Sequence, residues 1–155
     1  MKTPSFHREH APPPDEVWLQ RSWPSRLDLK SEVIDAVADL LRDRGQVIES
    51  EQHWLLLALD EAVTNAMLHG NEGDHHVDIQ VTVGRREQRW IVQIDDQGEG
   101  FSPEQIPDCE DPDNLLLEHG RGVRLMLEWL DELSYYRGGA TILFARHASE
   151  AAHAQ

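Results

Sequence analysis

A single cysteine, Cys109, stands among 155 residues, so no internal disulfide can form and nothing in the chain requires an oxidising compartment. Basic side chains are scarce too: 14 lysines and arginines face 29 aspartates and glutamates, a net charge of −15. That balance argues against direct nonspecific nucleic-acid binding, which relies on cationic side chains displacing counterions. A basic protein partner suits it better, although acidity by itself chiefly favours solubility. The longest apolar run, Trp54 to Leu59, falls far short of the roughly 20 residues that span a membrane. Met1 to Pro14 lacks the apolar core of a secretory signal, so no membrane association and a cytoplasmic location are expected. No paired-cysteine redox motif, Walker-type lysine loop or Gly-x-Ser-x-Gly elbow occurs. His69, His75 and His76 fall short of the three or four spaced nitrogen and sulfur ligands of a zinc site.

What remains is enough for one domain with a real core. Residues 1–16, with His7, His10 and three successive prolines, bury too little apolar surface to offset ordering entropy and read as a disordered arm. The domain then spans 17–147, and 148–155 read as a frayed tail. An irregular first strand is expected over Val17 to Leu29, broken at Pro24. Ser31 is placed to cap a helix to about Arg44, with Val33, Ile34, Val37, Leu40 and Leu41 on one face and Gly45 as its stop.

A second helix, Ser50 to His69, is apolar around most of its girth and therefore mostly buried. Its exceptions, Glu61, Asn65 and His69, lie four apart and stack on one face, where buried polar groups need partners. Alternation over Val77–Val83 and Trp90–Ile94 predicts two strands joined across a Gly84 to Glu87 turn. A long polar stretch, Ser102 to His119, reads as a lid. Gly122 leads into a helix, followed by strands near Leu133 to Tyr136 and Thr141 to Arg146, joined around Gly138-Gly139. The fold class expected is α+β: a mostly antiparallel or mixed sheet with helices on one face, a two-layer sandwich.

Three motifs carry the chemistry, and each has a plain structural reading beside the functional one. Glu61-Ala62-Val63-Thr64-Asn65 sets a carboxylate one helical turn from a carboxamide. Asn65 can supply one oxygen to a magnesium ion that keeps phosphates and waters as its other ligands, and Glu61 can accept the proton of an attacking hydroxyl. Alone, the pair reads equally as polar helix residues bonded to a neighbouring element. In Asp96-Gln97-Gly98-Glu99-Gly100 a carboxylate at a strand end accepts hydrogen bonds, as the exocyclic amino group of adenine requires, while Gly98 and Gly100 let backbone approach a flat base. Asp95 should point to the opposite sheet face, and a simple turn is the alternative. Gly120-Arg121-Gly122-Val123 opens a helix, whose free N–H groups and dipole suit phosphate oxygens.

In order and spacing these motifs resemble the anti-sigma-factor serine kinases of bacteria, within the GHKL superfamily that includes DNA gyrase and sensor histidine kinases. The N box is matched by Glu61 to Asn71, the first glycine box by Asp95 to Phe101 and the second by Gly120 to Met126. The resemblance implies a Bergerat-type ATP-binding fold with ATP and Mg2+ as cofactors. It implies Glu61 as catalytic base, Asn65 as metal ligand, Asp96 as adenine reader, and Gly98, Gly100, Gly120 and Gly122, with Val123, around base and phosphates. His69 and Arg121 would be phosphate neighbours. It further implies a serine kinase acting on an anti-sigma-factor antagonist, a sigma factor as the alternate partner, and a homodimer. A nucleotide-gated module that sequesters a regulator without phosphorylating it is the competing expectation.

Overall fold

The computed structural model describes residues 4–98 and 127–148. The expected lid, the second glycine box and the frayed tail from residue 149 lie outside them. Two α-helices, α1 (Lys30–Asp43) and α2 (Gln52–Thr64), pack on one face of a six-stranded sheet. The strands are β1 (Ser5–Phe6), β2 (Glu16–Pro24), β3 (Asp78–Arg86), β4 (Arg89–Asp95), β5 (Glu132–Tyr136) and β6 (Thr141–His147), ordered β1-β5-β6-β4-β3-β2. Every neighbouring pair is antiparallel except β1 with β5. The expected α+β two-layer class is the one observed.

Period-two alternation decides which side chains meet the helices. Ile79, Val81 and Val83 of β3, Trp90, Val92 and Ile94 of β4, and Ile142 and Phe144 of β6 join the main core. From the helices come Val33, Val37 and Leu41 on α1 and Leu55, Leu59 and Val63 on α2, with Ile34 and Leu40 only partly buried. The N-cap of α2, Glu51, is tied to β6 by a 2.8 Å ion pair with Arg146, both largely shielded from solvent.

Local chemistry explains the element ends, including several that differ from expectation. Gly45, at φ 69, closes α1 as foreseen: its N–H bonds the Arg42 carbonyl while that of Gln46 bonds Leu41, both at 2.9 Å. Ser31 does not cap that helix. A 3-10 turn, Leu27–Leu29, runs straight into Lys30, so the N-cap position falls to Leu29, already helical in φ and ψ, and Ser31 lies inside. The first strand ends at Pro24 and carries a bulge between Val17 and Leu19. Gly84 is no turn residue: it pairs with Val17 beside that bulge, where a Cβ would come within 2.0 Å of the Glu16 carbonyl oxygen. The hairpin turns three residues later, at Glu87-Gln88.

Residues 5–15 differ from the disordered arm expected of them. Ser5 and Phe6 add a parallel edge strand to β5, and His7 N–H continues it to the Tyr135 carbonyl at 2.9 Å. Phe6 stacks on Tyr135 and His7 on Tyr136, with centroids 5.0 and 4.6 Å apart. Ala11 then packs on Ile91, Tyr136, Leu143 and Ala145, a second cluster on the sheet face away from the helices, and Asp15 N–H reaches the Arg85 carbonyl at 2.8 Å. Composition understated this segment because its ordering is offset by apolar surface that belongs to the sheet, not to itself. No helix of the described residues is long and apolar enough to cross a membrane.

If the strap holds as described, removing residues 1–10 should destabilise the fold by about 1–3 kcal/mol. Urea denaturation should show the midpoint fall and dye binding to exposed apolar surface rise; a disordered arm would change neither.

Candidate functional site

The N box and the start of the first glycine box meet where α2 ends and β4 ends. Beyond Thr64 the helix does not continue in α form to His69, as expected, but widens into a π-helical turn, Asn65–Gly70, with Asn71 N–H bonded to the Ala66 carbonyl five residues back at 2.9 Å. Such turns are uncommon and recur at functional sites. Glu61 is buried on α2, Asn65 half-buried at the start of the wide turn, and His69 exposed near its end. The stacked face thus runs from interior to solvent.

The turn's last residue, Gly70, abuts Asp96. A Cβ built there would lie 2.0 Å from Oδ2 of Asp96, so no other residue fits without displacing the carboxylate. Gly98 meets the same junction from the other side: its Cβ would fall 2.3 Å from the Gly70 carbonyl oxygen. The glycines are required here by the protein's own close packing. Of the expected site residues the structure brings Asp96 and Gly98 against the end of the turn that carries Asn65 and His69. Gly100, Gly120, Arg121, Gly122 and Val123 lie outside the described residues.

Asn71, the last residue of the matched N box, was assigned no role from the sequence. Fully buried, it accepts a 2.7 Å bond from Gln97 N–H and donates to Ser25 Oγ at 2.9 Å and to the Asp78 carbonyl at 3.1 Å. One carboxamide therefore joins the loop after β4 to the end of β2 and the start of β3. Its signal was weak, because an asparagine beside glycine is also what an ordinary turn contains.

Asp96 is 6% exposed, and its backbone is held by the turn before β6: its N–H donates to the Ala140 carbonyl at 2.8 Å and its carbonyl accepts from Arg137 Nη2 at 2.9 Å. Of its carboxylate, Oδ1 accepts the Gly98 N–H at 2.8 Å, and Oδ2 takes no hydrogen bond from the described residues. Burial pushes the acid up from 3.8 to about 6; the Gly98 bond and the Arg137 charge pull it back, and neighbouring Asp95 pushes it further up. Asp95 does face the other way, as expected: Gln93 Nε2 donates to it at 3.0 Å, Thr141 Oγ1 donates to it, and Arg137 pairs with it at 3.5 Å. It has no acceptor capacity to spare comparable with that of Asp96.

The arrangement offers a buried carboxylate beside a carboxamide-bearing turn. A family model described as the histidine kinase-like ATPase domain matches residues 23–146, which include both α-helices and the whole junction. No match was found among curated proteins.

The cost of burying Asp96 has a measurable sign. Between about pH 4 and 6 the folded chain holds a proton that the unfolded chain has released, so stability declines as pH rises through that window and stays lower above it. Asp96→Asn, uncharged throughout and still able to accept from Gly98, should stabilise the ligand-free protein by about 1–3 kcal/mol near pH 7.5 and little below pH 4. Chemical denaturation at the two pH values checks this; an equal effect at both would contradict it.

Proposed function

We propose, since the chain belongs to the histidine kinase-like ATPase domain family, that it is an ATP-dependent protein serine kinase of the anti-sigma-factor type. The observation that carries the nucleotide reading is Oδ2 of buried Asp96, which takes no hydrogen bond from the described residues. An ionised carboxylate only accepts hydrogen bonds, which matches the exocyclic amino group of adenine and repels the carbonyl that guanine carries there. Gly98, and in the same reading Gly100, leave room for the base. Gly120, Arg121, Gly122 and Val123, with His69, would surround the phosphates.

Asn65 would hold Mg2+ by one side-chain oxygen, with phosphates and waters completing the shell. When bound, that ion neutralises charge on the phosphoryl group. Glu61, one turn before Asn65 and shielded from bulk water, would accept the proton of the acceptor hydroxyl. The serine oxygen then bonds to the γ-phosphorus as the bond to the bridging oxygen breaks and ADP departs.

The partners in this reading are an anti-sigma-factor antagonist as acceptor, a sigma factor held in the alternate state, and a second copy of the chain in a homodimer. The order and spacing of the three motifs support it. The net charge of −15 suits basic patches on such partners.

Glu61→Gln should lower phosphoserine formation from radiolabelled ATP at least about 100-fold while leaving ATP affinity within about threefold. Transfer that is absent from the native chain, with partner binding still nucleotide-dependent, would instead favour the non-phosphorylating module. Calorimetric ATP affinity should also weaken as pH falls through about 6, where Asp96 gains its proton and loses its acceptor character. A well-folded sample that gives no heat with any adenine nucleotide would refute the nucleotide site.

A further inference from the structure

Arg137 occupies a place that its own turn does not explain. It lies between β5 and β6 with φ 52, a left-handed backbone that costs a long side chain energy and that glycine, present at the next two positions, would adopt freely. Such strain persists only where surroundings over-determine it. Here they do. Its N–H is taken by the Glu9 carbonyl of the N-terminal strap at 2.9 Å, and the N–H of Gly138 by the His7 carbonyl at 3.2 Å.

What the strained backbone achieves is the aim of the guanidinium. The β4–β6 ladder ends at the pair Asp95 and Thr141, so Asp96 is the first residue without a ladder partner. The Arg137 turn supplies the missing bonds: the Ala140 carbonyl takes the Asp96 N–H, and Arg137 Nη2 donates to the Asp96 carbonyl at 2.9 Å. Nη1 lies 3.5 Å from Asp95 Oδ1, an oxygen that also accepts from Thr141. Asp95 thereby fixes the fork, and the fork fixes the peptide group from which the Asp96 carboxylate projects.

We infer that Arg137 is a positioning residue of the nucleotide site, clamping the main chain of Asp96 so that its carboxylate keeps one direction toward the base. This rests on the proposed nucleotide reading for its consequence, but not for its geometry. Lysine cannot reproduce it, because one ammonium does not offer two divergent donors in a plane. The strap enters as an anchor of the turn, so residues 7–9 reach the site through the Arg137 backbone.

The test compares Arg137→Gly, which relieves the left-handed strain, with Arg137→Lys, which keeps the charge. ATP and GTP affinities with Mg2+ are measured by calorimetry, thermal midpoints by circular dichroism, and the Asp96 titration by carboxyl carbon NMR on the ligand-free chain. Among the described residues the charged groups that act on that titration are Arg137 and Asp95, and His69 lies one residue before Gly70 on the turn packed against Asp96. Arg137→Gly is expected to weaken ATP about tenfold or more, narrow the preference over GTP, and shift the Asp96 titration upward. Arg137→Lys should return the titration toward the native value without recovering most of the affinity. Native ATP affinity and preference in both variants, or an Asp96 titration that Arg137→Gly leaves unmoved, overturns the inference. If Arg137→Gly proves too unstable to measure, Arg137→Lys alone decides, since native affinity there refutes a clamp that depends on the fork. Should the native chain bind neither nucleotide, the function proposed above fails, and the ligand-free titration still reports whether Arg137 holds Asp96.

Discussion

A carboxylate is costly to bury, and the junction at the end of β4 is built around burying that of Asp96. Asp96 can sit there only because Gly70 and Gly98 have no side chains to occupy its space. The wide turn that ends in Gly70 and the loop that begins at Asp96 then need a common brace, which the buried Asn71 carboxamide provides through Gln97. Remove any of these and the carboxylate either swings into solvent or loses its bonded oxygen. Fold and site are therefore not separable at this point of the chain.

Long-period patterns were legible in the sequence because they report burial directly. The alternation of Ile79, Val81 and Val83 and the helical spacing of Val33, Val37 and Leu41 named the faces that meet in the core. Geometry that depends on neighbours distant in sequence was not legible. Gly84 looks like a turn residue, yet it is small because β2 bulges against it. The strap of residues 5–15 looks unable to fold, and alone it would be; the apolar partners Ile91 and Leu143 lie on strands far along the chain. At the site, Asp96 and Gly98 could be singled out from their motif, whereas Arg137 and Asn71 could not, since neither hydrogen-bond network has a local signature.

The two faces of the sheet divide the labour. One is sealed by α1 and α2, with Glu51 and Arg146 pinning the start of α2 to the sheet. The other is covered more thinly, by a proline-bearing strap that packs Ala11 on a small cluster and closes on β5 through two stacked aromatic pairs. A strap held by few contacts opens at lower free energy than a helix packed on a main core. The same strap carbonyls anchor the turn beneath Asp96, so its opening and the order of the site share a physical link.

That link also bears on why a protein would keep Asp96 charged at neutral pH when an amide would cost less. Neutralising it would secure the fold and discard the acceptor. On the proposed reading, adenine supplies Oδ2 with a donor that none of the described residues provides, which lowers the cost of the buried charge in the bound state. Stability surrendered before binding thus becomes discrimination on binding, because a base presenting a carbonyl at that position leaves the charge unpaired and the cost in place. The raised pKa of Asp96, the glycines that make room for it and the strained arginine that aims it are then three consequences of one requirement.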